Sequence, residues 1–192
     1  MSHALEVLVD EYGSTGILQY PPKADTNDRR TPRWFFEQCA RRFGPFHFDV
    51  ACTADNALAD RLFDQDDNLV LDALSAPWTW PWDDGSQATC WCNPPYGPAG
   101  TIPKWIAKAR KERDEHGTRT LLLLPADTST EWYQDVKKTE WIEDVEFRLA
   151  FEAPDGSTKG NSAKFGSVLV YIAPKITRHR AIKAQQETQH GR

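Results

Sequence analysis

The chain is 192 residues long, 40% hydrophobic and 27% charged. That supplies one large core and fits a single domain, while the composition excludes wholesale disorder and no apolar run approaches the roughly 18 residues of a membrane span. The net charge of −5 by itself argues against a nucleic-acid binder, but the charge is segregated. Acids crowd between Asp49 and Asp84, where Arg61 is the sole base, and the stretches Arg29–Arg42, Lys104–Arg119 and Lys175–Arg192 are net basic. One face of the fold can therefore be basic, although an ordinary solvated surface accounts for the charge alone. The opening MSHALEVLVDEYGSTG has no basic patch followed by an apolar core, so no secretory signal is read there. Cys39, Cys52, Cys90 and Cys92 make no disulfide framework and are read as reduced, intracellular thiols.

In chain order, residues 1–28 read as a loose arm, 29–174 as the folded domain and 175–192 as a basic tail. TPRWFFEQCARRFG begins with Thr31 as N-cap and Pro32 in the first turn, and ends on Gly44, which predicts an amphipathic helix. FHFDVA (46–51) reads as a buried strand with Asp49 as its anomaly, NALADRLF (56–63) as a short helix, and LVLDAL (69–74) as a strand carrying Asp72. A tryptophan-rich loop from Trp78 follows, in which burial is the commoner fate of the rings. ATCWC (88–92) is a buried strand stopped by NPPYGPAG; TIPKWIAKARKERDEH is a helix closed by Gly117. TRTLLLLP (118–125) is the clearest buried strand, STEWYQDVKK (129–138) a helix, and WIEDVEFRLAF (141–151) and GSVLVYIA (166–173) the last strands. Alternating strands and helices imply an open α/β sheet, whose ligands sit at the carboxyl ends of the strands. Asp49, Asp72 and Asn93 all fall at or near such ends.

Asn93-Pro94-Pro95-Tyr96 is the sharpest signal. Two successive prolines offer carbonyls and no N–H donors, the Asn93 side chain adds an acceptor, and Tyr96 adds a π-face. Such a corner suits a planar amine, held by two hydrogen bonds at nitrogen and one stack on its ring. The plain structural account is a strand ending in a proline turn; the position after a buried strand and before a helix favours the chemical one.

With these residues in view, the sequence resembles the phage-type (Dam-type) DNA N6-adenine methyltransferases. The resemblance runs from about Asn27 to Ala173. It rests on TPRWFF, FGPFHFDVACTADNA, DDNLVLDALSAPW, WCNPPYG, LLLLPADTSTEW, and FRLAF with FGSVLVYI. It implies a class I, Rossmann-like methyltransferase sheet with a terminal antiparallel strand formed by Val145–Phe151 and Gly166–Ile172. It implies S-adenosylmethionine as cofactor and DNA as partner. Asn93, Pro94, Pro95 and Tyr96 would hold the target base; Asp49, Ala51 and Asn93 would lie along the methyl donor, Asp72 near its adenosine, and Thr31 and Pro32 near its methionine end, where the following helix could attract a carboxylate. It implies a cytoplasmic enzyme, of the host cell if a phage carries it. One departure from methyltransferases at large is the absence of a Gly-rich turn in FDVACTADN, so that Ala51, Cys52 and Thr53 must supply the small surface.

Lys104, Lys108, Arg110, Lys111 and Arg113 share one predicted helix, and Lys104, Arg110, Arg113 and Arg148 are the candidates for DNA contact. No metal site is read: Cys90 and Cys92 do not make a C-x-x-C pair, no His/Cys cluster accompanies them, and they suit the core. Nothing places Cys52 beside a base, so covalent catalysis is disfavoured. Base reading would fall to loops such as 75–87 and 152–165. Methylation of cytosine N4 or of protein glutamine, and a DNA-binding module without catalysis, are the alternatives compatible with these residues.

Overall fold

A computed structural model describes residues 30–53, 56–59, 73–79, 87–97, 101–153, 156–157 and 165–175. The proposed arm, Asp72 and all of the basic tail but Lys175 lie outside the described residues. The elements are α1 (Arg33–Phe43), β1 (Phe48–Asp49), β2 (Thr89–Cys92), α2 (Thr101–His116), β3 (Arg119–Pro125), α3 (Glu131–Thr139), β4 (Trp141–Asp144) and β5 (Ser167–Ile172). They form one five-stranded sheet in the order β1-β2-β3-β5-β4. β1, β2 and β3 are parallel, and β5 is antiparallel to both β3 and β4. The last strand is thus inserted between two strands made earlier.

Side chains alternate across this sheet with the period of two that a strand imposes. Cys90, Cys92, Leu122, Leu124, Val168, Val170 and Ile172 face α2 and α3, meeting Trp105, Ile106, Ala109, Tyr133 and Val136. Trp91, Leu121, Leu123, Leu169 and Tyr171 face the other way, onto Phe35, Phe36, Cys39 and Phe43 of α1. Both faces of β2 and β5 are buried, which is why, after an opening Thr89 or Ser167, they read as apolar runs. Cys39, Cys90 and Cys92 are buried free thiols; burial holds Cys39 up at about 12 and the other two well above the ordinary thiol range.

Several boundaries differ from the sequence reading. Pro32, extended at φ −58° and ψ 134°, occupies the cap position of α1 in place of Thr31, and no side chain caps the helix. The strand expected over 46–51 shrinks to Phe48–Asp49, flanked by single bonds from the His47 N–H to the Thr89 carbonyl and from the Val50 N–H to the Trp91 carbonyl. Residues 56–59 are not helical; the Leu58 N–H is taken by the Asp49 carboxylate. Of the strand expected over 69–74, residues 73–74 form a turn and 69–72 lie outside the described residues. Residues 145–151 are not a strand, because Asp144 already pairs with Val168 and β5 begins at Ser167. The Val145 N–H takes the Ser167 carbonyl, and the chain then leaves the sheet.

α2 ends where Gly117 adopts φ 69°, a left-handed conformation that a Cβ disfavours. A Cβ there would also stand 2.4 Å from Gln87 Nε2. Gly117→Ala should lower the unfolding free energy by about 1–2 kcal/mol, read as a lower urea midpoint at unchanged slope.

Candidate active site

The carboxyl ends of β1, β2 and β3 lie along one sheet edge, because the three strands are parallel. α1 crosses the sheet in the reverse direction. Its last residue, Phe43, packs on Trp141 and Tyr171, the first residue of β4 and a late residue of antiparallel β5, both at the opposite edge. The start of α1, with Thr31 and Pro32, therefore lies on the edge where Asp49 and Asn93 end their strands. A short bridge fixes it there: the Arg30 N–H bonds the Glu152 carbonyl at 3.1 Å, and the Glu152 N–H bonds the Arg30 carbonyl at 2.9 Å. Beside Glu152, the ring of Phe151 meets Tyr96 edge to face at 6.3 Å, and Phe165 meets Tyr96 at 5.7 Å. Thr31, residues 151–152 and the NPPY corner are in this way linked through a chain of contacts.

Within the corner, Pro94 is buried and Pro95 exposed, while Asn93 and Tyr96 are half-buried. The Tyr96 hydroxyl lies 2.9 Å from Asn93 Oδ1 and 3.0 Å from the Leu123 carbonyl oxygen of β3. Asp49 is buried. Its carboxylate accepts the Leu58 N–H at 3.2 Å and the Ala51 N–H at 3.4 Å, and its carbonyl accepts the Cys52 thiol at 3.1 Å. Asp49 thus ties Ala51 and Leu58 to the end of β1. Burial raises its carboxyl to about 6, against the two N–H bonds that pull it down.

A carboxyl raised in the folded state above its ordinary value of 3.8 stabilises the fold most when protonated. That contribution is complete below pH 4 or so and is lost as pH rises through about 6. Asp49→Asn should remove this slope. The wild-type-minus-variant difference in unfolding free energy should fall by about 2 kcal/mol between pH 4 and pH 7, as followed by urea denaturation at each pH.

Two buried hydroxyls on this edge, Thr31 Oγ1 and Ser167 Oγ, have no hydrogen-bond partner among the described residues. Sequence inspection missed Ser167, as it missed Phe151 and Phe165 as walls around Tyr96. A serine opening an apolar strand carries no distinctive signal until register places it opposite Pro125.

The candidate DNA contacts separate into two groups. Lys104 is exposed on the first turn of α2, and Arg148 is exposed on the segment following β4; both belong to the edge carrying Asn93. Arg110 and Arg113 lie farther along α2, toward the other edge. Arg110 pairs with Glu140 at 3.0 Å and Asp135 at 2.7 Å, and Arg113 with Glu140 at 3.2 Å and Asp114 at 2.8 Å. The structure does not bring these two to the site. Arg148 also lies outside any strand, contrary to expectation. Lys108 is not on a solvated face: it is buried on Glu112 at 2.6 Å, while Glu112 accepts the Trp78 N–H at 2.8 Å. Among the described residues, no group of three or more His, Cys, Asp or Glu side chains is placed to hold a metal. No described helix is long and apolar enough to cross a membrane.

No solved structure matches the chain. The DNA N-6-adenine-methyltransferase of Escherichia phage T1 is 29% identical over 153 residues, an alignment covering 68% of this chain and 58% of the phage protein. The chain thus spans somewhat over half the length of that relative. The family model for DNA N-6-adenine-methyltransferase (Dam) matches residues 20–191, nearly the whole sequence. The chain belongs to the DNA N-6-adenine-methyltransferase (Dam) family.

Proposed function

We propose that the chain transfers a methyl group from S-adenosylmethionine to the exocyclic N6 of an adenine in DNA, on a class I methyltransferase sheet. The observation that carries this reading is the NPPY corner. It ends a buried parallel strand at the sheet edge shared with Asp49 and the start of α1, and it presents acceptors where Pro94 and Pro95 have no N–H. The insertion of antiparallel β5 between β3 and β4 supports the fold assignment.

The residues present fit the donor. Among the described residues, Thr31 Oγ1 is buried without a partner beside a helix start that has neither a side-chain cap nor an acid in its first turn, a setting suited to a carboxylate. Thr31 and Pro32 would hold the donor's methionine end, Asp49, Ala51 and Asn93 would line its length, and Asp72 would approach its adenosine. When bound, the donor supplies a methyl group on a positively charged sulfur.

The chain's own residues do the rest. An adenine inside a duplex cannot reach such a corner, so it must be swung out. The Asn93 side-chain oxygen and the Pro94 carbonyl accept the two amine hydrogens. That favours a tetrahedral nitrogen with a localised lone pair over the flat, delocalised amine of the free base. Tyr96 stacks on the ring, and Phe151 and Phe165 exclude water around it. A carboxamide is too weak a base to take the proton, so Asn93 acts by positioning and electrostatics, and the proton leaves to water after transfer. Lys104 and Arg148, both exposed, would meet phosphates near the site.

The test is incubation with labelled donor and unmethylated DNA, followed by digestion to nucleosides. Label in N6-methyladenine is the expected result. Label in N4-methylcytosine, or only in protein, overturns the reading.

A further inference from the structure

We propose that the Tyr96 hydroxyl is a positioning group that orients the Asn93 carboxamide with its Nδ2 on Tyr96 and its Oδ1 turned to the substrate amine. The inference deepens the methyl-transfer reading and rests on it. It begins with the hydrogen-bond ladder. The Arg119 N–H donates to the Ala88 carbonyl, and the register Thr89↔Arg119, Cys90↔Thr120, Trp91↔Leu121, Cys92↔Leu122 carries the parallel ladder forward. In a parallel pair, each such β3 residue donates to one β2 carbonyl and accepts from the N–H two residues further on. Continued to Leu123, that rule assigns its carbonyl to the N–H of residue 94. Residue 94 is proline and has none.

The Leu123 carbonyl is therefore deprived of its sheet donor by the same Pro94 that makes the corner, and Leu123 is fully buried. A buried carbonyl without a donor is costly, so a nearby donor is drawn to it. The Tyr96 hydroxyl lies 3.0 Å away. A phenol has one hydrogen. With that hydrogen on Leu123, the Tyr96 oxygen faces Asn93, 2.9 Å away, as an acceptor, and two acceptors do not bond. Turning the carboxamide by a half rotation exchanges two ends of nearly equal size. It then places Nδ2–H on the Tyr96 oxygen and Oδ1 on the other side. The turned amide offers the acceptor that an amine hydrogen requires. Pro94 thus acts twice, once by exposing its own carbonyl and once by recruiting the hydroxyl that aligns its neighbour.

Tyr96→Phe keeps the ring and removes the hydroxyl. In single-turnover methylation of DNA, kcat should fall about tenfold, with donor affinity and KM for DNA changed by less than about threefold. A residue that only supported the fold would cost the same in any background. Asn93→Asp distinguishes the cases, because a carboxylate has two equivalent oxygens and no wrong end. In that background Tyr96→Phe should cost less than about threefold. Equal losses in both backgrounds, or a Tyr96→Phe enzyme as fast as the parent, overturn the proposal. Should Asn93→Asp be inactive, the side-chain amide resonances decide. In asparagine-15N-labelled protein, the Asn93 Nδ2 signal, assigned by its absence in Asn93→Asp, should shift in Tyr96→Phe; an unmoved signal overturns the proposal. A wild-type chain that methylates no DNA sinks the functional reading instead, and the amide measurement still tests the hydroxyl.

Discussion

Asn93→Ala is expected to lower methyl transfer to DNA by about a thousandfold, with S-adenosylmethionine affinity within about tenfold of wild type. The asymmetry follows from the geometry. The start of α1, the Asp49 turn and the buried Thr31 hydroxyl are separate from the Asn93 side chain, so most of the proposed donor contacts survive. What disappears is one of the two acceptors proposed for the amine, at the moment when the nitrogen must rehybridise. The Pro94 carbonyl alone cannot hold both hydrogens. Single-turnover rates with labelled donor, calorimetry of donor binding, and mapping of modified bases in DNA from cells expressing each form measure the three quantities. A variant that methylates at the parent's rate would remove the corner from the mechanism.

The largest loss of stability is expected at Glu112. This carboxylate is buried within the face carrying α2, accepts the Lys108 ammonium at 2.6 Å and the Trp78 N–H at 2.8 Å, and holds the fully buried Trp78 ring against Trp105. Glu112→Ala strands a buried ammonium and a buried N–H together. Removing one partner of a buried pair costs about 3–5 kcal/mol, to which the N–H adds. The variant should unfold at a much lower urea concentration, or fail to accumulate as folded protein. Glu112→Gln retains an acceptor for the Trp78 N–H and should recover part of the loss. A Glu112→Ala protein as stable as the parent would show that water reaches the pair.

Much of the architecture is legible in the chain because burial on both faces leaves an unmistakable trace. CWC and LLLL are apolar without interruption, and both lie in interior strands. α2 is closed by the glycine that the sequence offers for it. The corner at residues 93–96 is legible for a chemical reason, since consecutive prolines after a strand remove donors whatever the surroundings. What escapes is whatever depends on register or on distant partners. FRLAF has the alternation of a strand, yet β5 is already exhausted by residues 141–145, so Leu149 and Phe151 are buried as loop residues. The bases of α2 read as one row available to phosphates, but Lys108 points inward to Glu112, and Arg110 and Arg113 are taken up by Glu140. No pattern along one helix discloses an acid that arrives from the following helix–strand junction. Asp49 stands out in a buried strand, but its work of bonding the Leu58 and Ala51 N–H groups depends on how the succeeding turn closes.

The placement of β5 between β3 and β4 bears on how the protein is made. During synthesis, β3 and β4 emerge before the segment at 167–172 that finally lies between them, and until it arrives their facing backbone groups are left to water. A message cut short before that point would release a polypeptide with two open flanks, prone to stick to other copies. Completion of the reading frame is in this sense a physical checkpoint on solubility.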